Sequence, residues 1–351
     1  MKKDIRICMV GAGRVGKNHS EAIINHVPGG KIIALVDPVE NIRKETGELF
    51  GIENGYDSLE QAIDDVKFDG VIITTPTPTH VTLAKVAAEN GKHVFMEKPM
   101  ALNLEECDQI IETTTKNKVI LQIGFMRRFE PEFVAAQERI DAGEIGAPMM
   151  VKSLTHGPGL PPPWARDLRT SNGMLAEVNS HDWDAVRWMM SSNYERVYAE
   201  IANFKGEAFQ VDTPNFYDNT IVSIKFESGG LGMFSGICPC EYGYDARMEI
   251  VGEKGIMQIG DIKGQSVVVC TNRDQGLITP IYRTWPQRFK WGYIYELEHF
   301  IRCIQNDQEP KVGGMDGRWA VAGVLAGTKS FQEERPVYLS EIMNGKREES
   351  K

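Results

Sequence analysis

The chain has 351 residues, 42% of them hydrophobic, and a formal net charge of -10 at pH 7. That length accommodates two domains with separate cores, at about 100–200 residues each. The acidic balance disfavours nucleic acid and anionic membrane as partners, because an acidic field repels polyanions, and leaves a small neutral molecule as the easier substrate. Met1-Lys2-Lys3-Asp4 leads into an apolar run that Arg6 interrupts, too short for a signal peptide, and no later apolar run reaches ~18 residues. A cytoplasmic location is expected. The six cysteines, at 8, 107, 238, 240, 270 and 303, fall mostly inside apolar runs and read as small core hydrophobes rather than a disulfide framework. Cys238-Pro239-Cys240 is spaced too tightly for a zinc knuckle, and no metal is expected.

In chain order, the apolar run 5–10 is followed by Gly11-Ala12-Gly13-Arg14-Val15-Gly16 and then an amphipathic stretch. Strand, glycine turn and helix in that order are what a pyrophosphate site requires. The first glycine makes the turn, the second admits the phosphates and the third lets helix and strand pack, while the helix start supplies N–H groups and a positive dipole. Asp37 ends the second apolar run, 31–36, at the distance where a carboxylate meets a ribose 2'-hydroxyl. The expected cofactor is NAD. A 2'-phosphate would be repelled there, although Arg43 and Lys44 keep NADP in view.

Further strands are expected at 70–74, 92–96 and 119–123, and helices near 14–26, 40–50, 58–65, 79–90 and 103–116, with Thr79 and Asn103 as N-caps. This alternation predicts a doubly wound parallel sheet over 1–123. After Gly143-Glu144-Ile145-Gly146-Ala147-Pro148 the pattern changes. Strands at 149–154, 197–201, 219–226, 230–237, 246–251, 256–260 and 266–270, with hairpin turns at 226–230 and 252–255, predict an open, mostly antiparallel sheet. A helix near 178–190 would back it. The second, α+β domain, 124–351, would carry substrate binding and oligomerisation, and its C-terminal helices, near 291–306 and 316–333, are free to pack back on the first domain. The last residues, 344–351, read as a frayed charged tail.

Two constellations carry chemistry. Glu97-Lys98-Pro99 closes the strand 92–96 at its carboxyl end, where open α/β sheets place ligands, so Lys98 can donate to a substrate hydroxyl. It can equally be an ordinary exposed strand-end lysine. Glu177 and His181 stand four apart, on one face of the expected helix, and an imidazole is a natural proton acceptor for alcohol oxidation. Asp184 can orient it. Taken alone, such a histidine is more often a satisfied core or surface residue.

Together with Gly124-Phe125-Met126-Arg127-Arg128-Phe129-Glu130-Pro131 and the 143–148 segment, these motifs resemble the glucose-fructose oxidoreductase / inositol dehydrogenase (Gfo/Idh/MocA) family over nearly the whole chain. The resemblance implies a Rossmann domain, a second domain with an open sheet, and a homo-oligomer, a tetramer. It implies that Lys98, His181 and Glu177 act on a sugar or polyol hydroxyl. Gly11, Gly13, Arg14, Val15, Gly16, Asp37, Thr74, Pro76, His80, Glu97 and Lys98 would line the cofactor. Arg127, Trp164, Asn179 and Tyr293 would meet substrate. Trp285, Trp291, Tyr242 and Tyr244 are further candidates for a sugar platform, whereas Tyr295 and Trp319 are expected in the core. One departure matters: Glu177 stands where the inositol dehydrogenases of this family usually carry aspartate. The resulting expectation is an NAD-dependent dehydrogenase of a secondary hydroxyl on a cyclic polyol, sugar or glycoside. The alternatives are a redox-neutral glycoside-processing enzyme with tightly held NAD, or a non-catalytic NAD-binding regulator.

Overall fold

The protein, a computed structural model describing residues 3–209, 211–264, 269–270, 277–278 and 280–343, divides into two compact units. The first is 1–130 with 291–321, and the second is 131–290 with 322–351. Of the strand expected at 266–270 only the last two residues are described, and the tail 344–351 also lies outside the described residues.

The first unit is built on six parallel strands, β1 (Ile5–Val10), β2 (Gly30–Val36), β3 (Gly55–Tyr56), β4 (Gly70–Ile73), β5 (His93–Glu97) and β6 (Leu121–Gly124). Their order is β3-β2-β1-β4-β5-β6, the doubly wound arrangement expected from the sequence. The strands β1, β4, β5 and β6 are buried almost end to end, as strands covered on both faces must be. One cover comes from far along the chain. Ile294, Leu297, Phe300 and Ile301 of the helix Lys290–Asn306 share a core with Ile7, Met9, Leu35, Ile72 and Phe95.

Local chemistry sets the helix starts. Asn103 Oδ1 accepts the Glu106 N–H at 2.9 Å and Glu106 Oε2 accepts the Leu102 N–H at 3.0 Å, a reciprocal cap worth about 1 kcal/mol that opens the helix Leu104–Lys116. The Thr79 cap does not form. Its hydroxyl turns back to the Pro76 carbonyl at 2.8 Å, Thr77–Thr79 makes a 3-10 turn, and the helix runs from His80 to Glu89. Ser58, expected as the first residue of its helix, instead caps it: its hydroxyl accepts the Gln61 N–H ahead of the helix Leu59–Asp65.

The second unit carries a seven-stranded sheet of β7 (Pro148–His156), β8 (Tyr194–Ala202), β9 (Asn219–Phe226), β10 (Leu231–Ile237), β11 (Asp245–Gly252), β12 (Ile256–Ile259) and β15 (Val337–Tyr338). The strands β13 (Val269–Cys270) and β14 (Leu277–Ile278) form a separate ribbon. The large sheet runs β12-β11-β7-β10-β9-β8-β15, and every pairing is antiparallel except β7 with β10. Hairpins join β9 to β10 and β11 to β12 at the two predicted turns. Burial alternates along β9 and β10, so Val222, Ile224 and Phe234 face the core while Ile221, Leu231 and Met233 stay exposed.

At the centre of that core the Trp183 indole is fully buried, edge-on to Tyr194 at 5.4 Å and to Phe234 at 4.7 Å. Gly323 lies flat against it: a Cβ there would come within 2.6 Å of the ring. Gly323→Ala should therefore overpack the site and destabilise the protein by about 1–3 kcal/mol, read as a lowered thermal midpoint. A midpoint equal to wild type would show that the ring shifts freely.

Candidate active site

The glycine turn has the geometry its spacing demands. Gly11 takes φ +101°, and a Cβ on Gly16 would sit 2.0 Å from the Gly11 carbonyl oxygen, so the helix Arg14–His26 can rest on the strand end only with glycine there. Among the described residues, by contrast, nothing lies within 4 Å of where a Gly13 Cβ would lie, and no side chain caps the helix start. Exposed backbone, an uncapped helix N-terminus and open space above it fit a dinucleotide pyrophosphate.

Asp37 follows β2 and is nearly buried. Its Oδ2 accepts the Ala12 N–H and its Oδ1 the Val39 N–H, both at 2.9 Å, so the carboxylate also fixes the turn it neighbours. Arg43, the residue that kept NADP in view, is paired with Asp57 at 2.6 Å and donates to the Asp37 carbonyl. Lys44 pairs with Glu40 on the exposed face of its own helix.

The other strand ends assemble alongside. Thr74 Oγ1 donates to the carbonyls of Gly11 and Val10 at 3.0 and 3.2 Å, which ties the end of β4 to the turn. The His80 imidazole is buried between the Thr75 and Pro99 carbonyls at 3.0 and 2.9 Å, and burial holds it below the usual histidine range against the pull of those carbonyls. It therefore braces the 74–78 loop against the segment after Lys98. Lys98 is half-buried at the end of β5, joined to Pro99 by a cis peptide bond. Glu97 turns inward: its Oε1 meets His19 Nε2 at 2.7 Å and its Oε2 accepts the Lys98 N–H at 3.1 Å. Arg127, on the turn Met126–Arg128 after β6, is buried.

In the second unit the expected helix at 178–190 is two pieces. Gly173–Glu177 ends at Glu177, and Ser180–Met189 begins one residue before His181, so Glu177 and His181 do not share a continuous helix. The break arises at Val178 and Asn179, whose N–H groups both return to the Met174 carbonyl. Asn179 is spent on holding the fold. Its Nδ2 donates to Asp182 at 2.8 Å, its Oδ1 accepts from Thr220 at 2.7 Å, and it is fully buried, which removes it from the expected substrate contacts.

Asp182 is the anchor that the sequence reading overlooked. Its buried carboxylate accepts from Ser153 at 2.6 Å and Thr155 at 2.7 Å on β7 besides Asn179, clamping the start of the helix, and with it His181, to the sheet. Asp184, expected to orient His181, is buried on the same helix.

A second polar cluster was missed. His156 at the end of β7 meets the Tyr242 hydroxyl at 2.5 Å and Ser235 at 3.2 Å, and Tyr242 donates to Asp245, which holds Arg247. Burial lowers the His156 pKa and raises that of Tyr242, while the charges of Asp245 and Asp182 act on the imidazole in the opposite sense. Polar residues closing an otherwise alternating strand, as Thr155-His156 do, were the available sign.

The aromatic expectations divide. Trp164 is 39% exposed on the turn Pro163–Ala165, as a platform would be. Tyr293 is buried and packs edge-on to His19 at 5.7 Å, and Tyr244 packs against Phe289. Tyr295 is not core: it is 40% exposed and stacks on Trp291, because its helix presents that position to solvent. Trp319 is half-buried.

Comparison with known proteins gives a consistent result. Residues 5–125 match the "Oxidoreductase family, NAD-binding Rossmann fold" (GFO_IDH_MocA), and residues 133–258 match the GFO/IDH/MocA C-terminal domain. The chain is 34% identical to scyllo-inositol 2-dehydrogenase (NAD(+)) of Bacillus subtilis (strain 168), over 97% of both chains. It is 32% identical to myo-inositol 2-dehydrogenase of Thermotoga maritima, over 97% of this chain and all of that one. A solved structure from Thermotoga maritima has a TM-score of 0.89 at 32% identity, covering 96% of this chain and 100% of that one. The cofactor is NAD, and the turn and Asp37 are proposed to hold it. Asp37→Ala should weaken NAD by about tenfold, the scale of a charge-assisted hydrogen bond, and narrow the preference over NADP. Fluorescence titration with both cofactors measures this; equal affinities in the unmutated protein would refute the role of Asp37.

Proposed function

The chain belongs to the GFO/IDH/MocA oxidoreductase family and is an NAD-dependent oxidoreductase of CH–OH groups, and from that premise we propose that it oxidises a secondary ring hydroxyl of an inositol. The observation that carries the substrate assignment is the likeness, over 97% of this chain, to two relatives that both bear inositol dehydrogenase names. In the proposed division of labour the first unit carries the cofactor, and the second carries the substrate and the contacts between subunits.

Lys98 and His181 are the proposed catalytic residues. The Lys98 ammonium donates to the reacting oxygen and stabilises the negative charge that grows on it. The His181 imidazole takes the hydroxyl proton, leaving a carbonyl where the alcohol was. NAD, when bound, accepts the hydride from the same carbon. The clamp of Asp182 on β7 supports this role for His181, since a proton acceptor must be held still. Glu177, one methylene longer than the aspartate usual in the family, is the proposed selector among ring polyols, with Arg127, Trp164 and Tyr293 as further substrate contacts.

Screening myo- and scyllo-inositol, aldoses and glycosides for NAD reduction tests the reading directly. Inositols should produce NADH, and failure of every inositol would overturn the assignment. Lys98→Ala and His181→Ala should each lower turnover by ~10²-fold or more with NAD affinity nearly intact. Unchanged turnover in both would place the chemistry elsewhere. Glu177→Asp should shift the ranking of the inositols.

No described helix is long and apolar enough to cross a membrane, and the cytoplasm is the proposed location. The exposed face of the large sheet carries Ile221, Leu231, Met233 and Ile256, which supports a homotetramer that covers it. Sedimentation at micromolar concentration should give four subunits; a monomer would refute this assembly.

A further inference from the structure

Behind β5 the first unit buries an acid that the chemistry above does not use. Glu296, on the helix Lys290–Asn306, is completely buried, and neither carboxyl oxygen has a hydrogen-bond partner among the described residues. One of its oxygens, one of Glu97 and a ring nitrogen of His19 all lie within 4.8 Å of one another. The backbone carbonyl of Glu296 is itself held by Gln122 Nε2 at 2.8 Å, so the helix position is fixed from β6. Tyr293 and Phe95 close the cluster with edge-on contacts to the His19 ring.

Two ionised carboxylates cannot share so dry a space. A cation bridging the three groups is disfavoured by geometry. Ligands on a tetrahedral ion at about 2.0 Å stand about 3.3 Å apart, whereas His19 Nε2 and Glu97 Oε1 are at 2.7 Å, the separation of a direct hydrogen bond. A proton on one carboxylate would relieve the conflict without an ion. Burial first, and the Glu97 charge second, push the Glu296 carboxyl well above the ordinary carboxylate range.

We propose that Glu296, as the neutral acid, and His19 are positioning residues for Lys98: His19 grips Glu97, Glu296 stands against the pair without adding charge, and Glu97 anchors the Lys98 backbone. Glu97 is gripped by His19 on one oxygen and by the Lys98 N–H on the other, so any tilt of its carboxylate moves the start of the lysine side chain. A second charge at Glu296 would repel Glu97 toward Lys98, and an apolar residue there would take away the polar group that stands within 4.8 Å of His19 and Glu97. The inference rests on the proposed catalytic role of Lys98, but the state of Glu296 can be read without it.

Infrared difference spectroscopy of the NAD-loaded protein at neutral pH should show a protonated-carboxyl stretch that disappears in Glu296→Gln. Its absence overturns the proposal, and so does an equivalent of tightly held divalent metal in the purified protein. In kinetics, Glu296→Leu should lower kcat about tenfold or more with NAD affinity unchanged, and Glu296→Gln, neutral and of the same shape, should recover most of that loss. Gln as impaired as Leu, or Leu as active as wild type, would also overturn it. If the leucine variant does not fold, the infrared band and the glutamine variant decide alone. A protonated Glu296 in a protein whose Lys98→Ala variant keeps full activity would refute the role of Lys98 and leave the buried acid standing.

Discussion

Parallel strands hydrogen-bonded in register must all finish at one edge of their sheet, and the first unit is organised by that constraint. Val10 is paired with Val36 and with Ile73, Ile73 with Met96, and Glu97 with Gly124. The residues that follow those strand ends are Gly11, Asp37, Thr74, Lys98 and Phe125, so groups separated by more than a hundred positions in the chain become neighbours without further device. The cross-links at that edge then add rigidity. Asp37 reaches the Ala12 N–H, Thr74 reaches the Gly11 carbonyl, and His80 joins the loop after β4 to Pro99.

The second unit solves the same problem of rigidity with a buried charge. Asp182 sits in the core at the start of its helix, and the neutral groups of Ser153, Thr155 and Asn179 donate to it. A carboxylate in that environment is costly if any donor is lost, which is what makes it directional: it fits one placement of the helix on β7 and rejects the rest. Apolar packing around Trp183 supplies cohesion but discriminates less between helix registers. The break after Glu177 has the same origin, since Asn179 is drawn to Asp182 and Thr220 rather than left to continue a helix.

Legibility in the sequence followed the range of the interactions. The glycine turn, the Asn103 cap, the two hairpins and the alternation of β9 and β10 depend on residues close in the chain, and the structure has them where the spacing placed them. The Thr79 cap failed because Pro76 and Thr75 offered its hydroxyl nearer partners. Tyr295 reads as core only while its helix face is unknown, and Asn179 reads as a substrate contact only while its partners are.

By itself, then, the order of residues determined the parallel first sheet, the open second one, the dinucleotide turn with its acid, and the family to which the motifs point. These are properties of short windows: a strand period, a helix period, a turn that only glycine can make. Tertiary structure alone decided that a helix from residue 290 onward covers β1 and β5, that Asp182 clamps the start of the His181 helix to the sheet, and that Glu97 faces inward to His19 and Glu296. Each of those depends on which distant surfaces meet, and a buried polar group takes its meaning from partners that sequence spacing does not specify.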